Sequence, residues 1–188
     1  GYPATLCISI NHEVVHGIPR PERILREGDL VGIDVGTSKN GYIADAARSY
    51  YIGGAPSPEI IKLLAATKQA LELGIQSARS GSKVSDISRA VQQAAESAGF
   101  STVRDLCGHG VGQKLHEEPE IPNYVKSGSS PVLAPGMVLA IEPMINAGGH
   151  QVKFLSDGWR VVTADSSLSA HFEDTVVVTA GEPLIVTR

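Results

Sequence analysis

Residues 31–52 read VGIDVGTSKNGYIADAARSYYI, and the Asn40-Gly41 pair at their centre is a strong signal for a tight β-hairpin. Residues on either side are largely apolar or β-branched, as strands require. The pattern predicts two antiparallel strands, Val31–Ser38 and Tyr42–Ile52, with Asn40 and Gly41 as the two loop residues.

This register places Asp34 opposite Ala47 and Asp45 opposite Gly36, so both aspartates project from one face as diagonal neighbours. The flanking residues are apolar, which predicts that the hairpin is largely buried. Two buried carboxylates repel each other unless a cation joins them or they share a proton. The hairpin therefore favours a cation site.

Composition limits the remaining possibilities. The chain has 188 residues, 42% of them hydrophobic and 19% charged, as in one folded domain. A net charge of −4 lacks the basic excess that drives nucleic-acid binding, and no apolar run is long enough to span a membrane. Cys7 and Cys107 stand outside any CxxC spacing, so two free thiols and a cytoplasmic protein are expected.

Two helices interrupt the strands. The period of the apolar residues predicts helices over Pro58–Arg79 and Val84–Ala98, the first begun by Ser57 and the second capped by Ser82 or Ser85. The order of strands, two helices and strands predicts an α+β fold with an antiparallel sheet covered on one face.

Three more groups of residues carry chemistry. Residues 108–119, GHGVGQKLHEEP, hold His109 and His116 among glycines that would let the backbone approach a ligand closely. Glu142 ends one apolar strand and Glu173 enters another. Each position also has an ordinary structural interpretation: turn-stabilising aspartates, satisfied histidines and glutamates in salt bridges.

Taken together, these residues favour a site. Four carboxylates and one imidazole at strand positions form an oxygen-rich ligand set suited to Mn, Fe, Co or Zn, and four shared carboxylates fit two ions better than one. The chemistry alone therefore predicts a dinuclear metal hydrolase.

The same positions resemble the type I methionine aminopeptidases, members of the pita-bread family that also includes X-Pro peptidases and creatinase. The resemblance covers essentially the whole chain. It is carried by residues 7–11 (CISIN), 15–19 (VHGIP), Asp34, Asp45, 108–112 (GHGVG), 116–119 (HEEP), 141–144 (IEPM), 168–170 (LSA) and Glu173.

The resemblance implies a pita-bread fold, with two pseudo-symmetric halves and a curved antiparallel sheet covered by helices. It implies two divalent ions, Co, Mn, Fe or Zn, held by five ligands. Asp45 and Glu173 would bridge the ions, Asp34 would chelate one, and His109 with Glu142 would complete the other.

The resemblance also implies a mechanism, in which a metal-bridging water attacks the scissile carbonyl. Glu142 would handle its proton, His116 would stabilise the tetrahedral intermediate, and His16 would hydrogen-bond the substrate on the leaving side. His16 and His116 are thus expected to bind substrate as well as to assist catalysis.

A methionine pocket is implied at Tyr2, Cys7, Leu115 and Trp159. Cys7 would act as a small hydrophobe near the thioether of the substrate. Leu115 stands where many relatives carry an aromatic residue, which predicts a slightly wider pocket.

We therefore expect a metalloaminopeptidase that removes initiator methionine from nascent chains at the ribosome, acting as a cytoplasmic monomer without binding nucleic acid or membrane. Two alternatives stay open: an X-Pro aminopeptidase or dipeptidase, and a non-catalytic peptide-binding module of the same fold. The acidic pair Glu173-Asp174 is the form familiar from X-Pro peptidases.

For domain organisation we expect one catalytic domain over residues 1–188, with an N-terminal half at 1–54 and a C-terminal half at 55–188. In the family a pair of helices precedes the first strands. The resemblance therefore implies that residues 1–54 are a shortened N-terminal half.

Overall fold

The computed structural model describes residues 1–188. The strands are β1 (Cys7–Ile10), β2 (Glu13–Val15), β3 (Leu30–Lys39), β4 (Tyr42–Tyr51), β5 (Ser101–Thr102), β6 (Cys107–Gly110), β7 (Glu117–Pro122), β8 (Val138–Ile141), β9 (Met144–Asn146), β10 (Val152–Phe154), β11 (Val161–Thr163), β12 (Ser169–His171), β13 (Asp174–Val177) and β14 (Leu184–Ile185). The helices are α1 (Pro58–Ser77) and α2 (Val84–Ser97), so the predicted α+β class is confirmed.

The hairpin forms in the predicted register. Asp34 pairs with Ala47 and Gly36 with Asp45 along β3 and β4. Asn40 and Gly41 have φ of 54° and 82°, the left-handed conformations that a tight hairpin turn requires. β1 adds to the free edge of β3. One local turn thus fixes where both aspartates lie.

The predicted N-cap of α1 is confirmed, whereas the predicted N-cap of α2 is wrong. Ser57 caps α1 by accepting the Ile60 N–H at 3.3 Å. Neither Ser82 nor Ser85 caps α2; its N-cap is Lys83, whose N–H is accepted by Asp86 at 2.9 Å. A tertiary contact holds the backbone on both sides of Lys83: the Ser85 N–H donates to the Ser130 hydroxyl at 2.8 Å, and the Ser82 carbonyl accepts the Leu133 N–H at 2.7 Å.

The predicted antiparallel pairing is confirmed, and it is divided among four small sheets. Their strand orders are β1-β3-β4, β10-β11-β2, β12-β9-β5 and β14-β13-β8-β6-β7. The register shifts inside the β6–β7 and β11–β2 pairs, which interrupts continuous pairing. Neither helix combines the length and apolarity that crossing a membrane requires.

A core of 21 buried residues joins the two helices to the strands. Leu63 and Leu71 of α1 and Ile87 of α2 are completely enclosed, as are Leu139 and Ile141 of β8. This packing holds β8 and its neighbour β13 rigidly. Glu142 immediately follows β8 and Glu173 immediately precedes β13, so the core positions both acids.

Candidate metal centre and active site

The hairpin supplies Asp34 from β3 and Asp45 from β4. Asp45 is buried, and its backbone is held by Thr175 of β13. The Thr175 hydroxyl accepts the Asp45 N–H and donates to the Asp45 carbonyl, both at 2.8 Å. This side chain joins the hairpin to the distant strand that carries the next acid.

Glu173 enters the cluster through backbone pairing with Ala47, two residues beyond Asp45. The Glu173 N–H donates to the Ala47 carbonyl at 2.9 Å, and the return bond is 3.3 Å long. Glu173 is 2% exposed, and its Oε1 has no hydrogen-bond partner. An unpartnered buried carboxylate oxygen is costly, so this atom fits a metal ligand.

His109 lies in the middle of β6, between β7 and β8. A Cβ on Gly108 would lie 2.4 Å from the Ala140 carbonyl, and one on Gly110 would lie 2.2 Å from the Glu118 carbonyl. These glycines let the neighbouring strands approach closely, and their role in letting a ligand approach stays a prediction. The effect is to bury His109 beside Glu142.

The ring of His109 has a defined orientation. Its Nδ1 lies 2.9 Å from the Gly110 carbonyl, which can only accept, so Nδ1 carries the proton. Nε2 then presents a lone pair, and it lies 3.4 Å from Oε1 of Glu142. Two electron-rich atoms at this distance fit a cation shared between them.

Three of the five predicted ligands converge closely. The ligand atoms of Asp45, His109 and Glu173 all lie within 4.8 Å of one another. Asp34 and Glu142 line the same cavity, and Glu142 lies 3.4 Å from His109. The donor set of four carboxylates and one imidazole therefore fits divalent metal ions.

The raised pKa values of the buried carboxyl groups also favour a cation site. Burial, reinforced by neighbouring carboxylates, raises the pKa of Glu142 to about 8 and that of Asp34 to about 6. Burial and the same acidic neighbours raise the pKa of Glu173 well above its usual range. Without cations the cluster would have to hold protons at neutral pH.

His171 is a buried neighbour of Glu142 that the sequence analysis did not consider. It is 3% exposed, and its Nε2 lies 3.4 Å from Oε2 of Glu142, with no hydrogen bond of its own. Burial lowers its pKa. The available signal was parity, because His171 and Glu173 are two residues apart in extended chain and so face the same side.

All eleven predicted site residues line one cavity of about 520 Å³. They are Tyr2, Cys7, His16, Asp34, Asp45, His109, Leu115, His116, Glu142, Trp159 and Glu173. The cavity wall also includes Met144 and Cys107, which the sequence analysis did not place there.

One end of the cavity is apolar. The rings of Tyr2 and Trp159 meet edge to face, with centroids 5.2 Å apart, and the Tyr2 hydroxyl donates to the Gly17 carbonyl at 2.7 Å. Cys7 pairs with Asp34 across β1 and β3. Burial and the Asp34 charge raise the pKa of Cys7 to about 12, so it stays a neutral thiol.

Two histidines also line the cavity. His16 has a φ of 59°, a strained conformation for a non-glycine residue, and burial lowers its pKa, so its ring is neutral at pH 7. His116 is exposed, and its ring packs edge to face on His109 with centroids 4.4 Å apart.

Asp174 turns away from the cavity and has a structural role. It is completely buried, its Oδ1 lies 2.6 Å from Nη2 of Arg48, and its Oδ2 accepts from Nε of Arg188 at 2.9 Å. The Glu173-Asp174 pair therefore carries no information about substrate choice in this chain.

The comparisons with known proteins agree with this geometry. Residues 1–180 match the model of metallopeptidase family M24. The methionine aminopeptidase of Clostridium acetobutylicum is 48% identical over 187 residues, which is all of this chain and 74% of that relative. The chain belongs to family M24, among its methionine aminopeptidases.

Solved structures of the M24 family separate two groups. A methionine aminopeptidase from Thermotoga maritima superposes with a TM-score of 0.94 at 43% identity, over 97% of this chain and 73% of that one. A prolidase from Pyrococcus furiosus superposes with a TM-score of 0.76 at 26% identity, over 98% of this chain and 49% of that one. The pita-bread fold is confirmed, and the X-Pro alternative is not favoured.

Membership also confirms the enzyme class. This M24 member is a metallo-aminopeptidase, a hydrolase that uses divalent metal ions.

Proposed function

We propose that this chain removes the N-terminal methionine from proteins, with the eleven cavity residues in the roles that the sequence predicted. One observation carries the proposal: a buried group of carboxylates and imidazoles borders an apolar pocket in a single cavity. An aminopeptidase needs that combination, because it must recognise a free amine and one side chain beside the hydrolytic centre.

Asp34, Asp45, His109, Glu142 and Glu173 would hold two divalent ions. The ligand atoms of Asp45, His109 and Glu173 lie within 4.8 Å of one another, Glu142 Oε1 lies 3.4 Å from Nε2 of His109, and Asp34 is paired through its strand with Cys7 of the apolar wall. When bound, the ions would lower the pKa of water and polarise the scissile carbonyl. Asp34 is also placed to receive the free α-amine of the substrate, since its strand partner Cys7 belongs to the pocket wall.

Glu142 would carry the proton. It lies in a buried position with Oε1 toward His109 and Oε2 toward His171, both 3.4 Å away. A carboxylate so placed can take a proton from the attacking water and return it to the leaving nitrogen.

His16 and His116 would act on the substrate itself. His116, at the exposed mouth of the cavity, can donate to the oxyanion that develops on the carbonyl. His16 is neutral and so can donate a hydrogen bond to the peptide on the leaving side without placing a charge there.

Tyr2, Cys7, Leu115 and Trp159 would receive the methionine side chain. The two aromatic rings give a rigid apolar wall, and the protonated thiol behaves as a small hydrophobe. Leu115 is 37% exposed, which leaves the rim of the pocket open.

The biological setting belongs to the proposal as well. The substrates would be the N-termini of newly made proteins, met in the cytoplasm at the ribosome by a monomeric enzyme. Support comes from the peptide-processing relatives and from a cavity that one chain completes alone.

A substrate comparison tests the proposal. Protein stripped of metal and resupplied with Mn, Co or Fe should cleave Met-Ala-Ser and leave an X-Pro peptide intact. Cleavage of the X-Pro peptide alone would favour the dipeptidase alternative. Absence of both metal binding and turnover would favour a non-catalytic module.

A further inference from the structure

Glu13 is a buried carboxylate outside the metal cluster, and the catalytic proposal makes no use of it. It is 5% exposed, in the three-residue strand β2. Its Oε2 accepts the Ile10 N–H at 2.9 Å and pairs with Nη2 of Arg23, while its Oε1 lies 3.1 Å from Nη1 of Arg160. One carboxylate thus joins two arginines from distant segments.

Arg160 connects the Glu13 carboxylate to Trp159 in the wall of the methionine pocket. Arg160 donates through Nε to Oδ2 of Asp157 at 2.5 Å. Oδ1 of Asp157 accepts the backbone N–H groups of Trp159 and Arg160, both at 3.0 Å. Leu155 N–H to Arg160 O, at 2.9 Å, closes the turn. The position of Trp159 is therefore fixed by a chain of bonds that begins at Glu13.

Arg23 connects the Glu13 carboxylate to the segments that carry Cys7 and His16. Nη1 of Arg23 donates to the carbonyl of Ile8 at 3.3 Å and to that of Ile18 at 2.7 Å. Ile8 follows Cys7 in β1, and Ile18 lies two residues beyond His16. The segment that carries Cys7 and the segment that carries Trp159 are thus both connected to the Glu13 carboxylate, the first through Arg23 and the second through Arg160.

We propose that Glu13 and Arg160 are positioning residues that set the width of the methionine pocket by fixing Trp159 against Tyr2. The inference rests on the proposed function only for the nature of the bound side chain. Arg160 suits the task because its planar guanidinium donates to Glu13 and Asp157 in different directions, which a lysine ammonium cannot reproduce at this span.

The chain offers a direct readout, since Trp159 is its single tryptophan. Glu13→Ala would leave two guanidinium groups without their shared carboxylate and threatens folding. The test variants are therefore Arg160→Met, which keeps the apolar stem, and Glu13→Gln, which keeps the shape. Arg79→Met is the matched control, because Arg79 forms an exposed ion pair with Glu182 away from the cavity.

In Arg160→Met we expect red-shifted tryptophan emission and easier acrylamide quenching. We expect KM for Met-Ala-Ser to rise roughly tenfold with kcat nearly unchanged, as loss of ground-state binding predicts. Mn²⁺ affinity by calorimetry should not change. Glu13→Gln should show the same shifts at smaller amplitude, Arg160→Lys should recover only part of them, and Arg79→Met should show none.

Wild-type emission, quenching and KM in folded Arg160→Met would overturn the inference. So would a loss of Mn²⁺ affinity that accounts for the rise in KM, since Arg160 would then act on the metal centre. If wild-type protein does not cleave Met-Ala-Ser while the emission still shifts in Arg160→Met, the proposed substrate fails and the positioning of Trp159 stands.

Discussion

The β3–β4 hairpin and the β12–β13 segment both contribute acids to the buried carboxylate cluster, but the positions of their side chains are determined in different ways. In the hairpin, a two-residue turn fixes the register over ten residues of each strand. In the second segment, Glu173 and His171 reach the cluster only because distant strands pair with them. A tight turn can be predicted from its sequence, whereas pairing between distant strands cannot.

The largest expected effect tests whether the two regions serve one centre. Asp45→Asn and Glu173→Gln each remove one charge from the closest group of ligand atoms. We expect kcat/KM to fall roughly a thousandfold in both, with loss of tight Mn²⁺ binding. Peptide hydrolysis and calorimetry measure the two quantities. Near-normal activity in either variant would show that the regions do not share a centre.

His171 gives the next largest effect, and it concerns only the second region. His171→Leu leaves Oε2 of Glu142 without its nearest polar neighbour. We expect a drop in metal affinity or kcat of roughly tenfold to a hundredfold, typical of groups that orient a ligand. His171→Gln, which keeps a donor, should recover most of it. Equal losses in the Leu and Gln variants would mean that His171 only fills space.

Part of the site was predictable because its geometry is local. The Asn40-Gly41 turn determined the relation of Asp34 to Asp45, whereas the resemblance of short motifs predicted His109, Glu142 and Glu173 as ligands. The cap of α2 was predicted wrongly, because contacts with residues 130–133 hold the backbone there. The close packing of β7 and β8 against the glycines beside His109 was not predicted, because it depends on distant residues. His171 was missed because its partner Glu142 comes from another strand.

Thr175 connects the two regions and should show an intermediate effect. Thr175→Val keeps the shape but removes both hydrogen bonds to the Asp45 backbone. Leaving buried backbone groups unpaired costs about 1–3 kcal/mol, and thermal unfolding should report that loss. Activity should fall less than in Asp45→Asn. The control is Thr179→Val, at an exposed turn where the hydroxyl bonds Glu182; equal destabilisation there would contradict the connection.

The pH dependence of metal-free protein should also reveal the shared centre. Glu142 and Asp34 have folded pKa values of about 8 and about 6, above their ordinary values of 4.5 and 3.8. The folded state then binds more protons than the unfolded state, so stability should fall as pH rises from about 4 to about 8.

Thermal unfolding in chelator across that range measures this slope, and added Mn²⁺ should remove most of it by replacing the protons. A metal-free melting temperature that rises between pH 5 and pH 8 would contradict the burial of these acids.

The smallest effect belongs to the turn itself. Gly41→Ala places a side chain at a φ of 82° in an exposed loop with nothing within 4 Å. We expect a cost of about 1 kcal/mol in the free energy of unfolding and unchanged kcat/KM. A large loss of activity would mean that the hairpin register depends on the turn alone, without support from Thr175 and Glu173.

One buried cluster would hold the ions that drive removal of N-terminal methionine. The most direct measurement is a Mn²⁺ titration of stripped protein, followed in parallel by calorimetry and by Met-Ala-Ser turnover. We predict that turnover rises with occupancy in wild-type protein and that both signals vanish in Asp45→Asn. Turnover in the stripped protein, or metal binding without any turnover, would contradict the account.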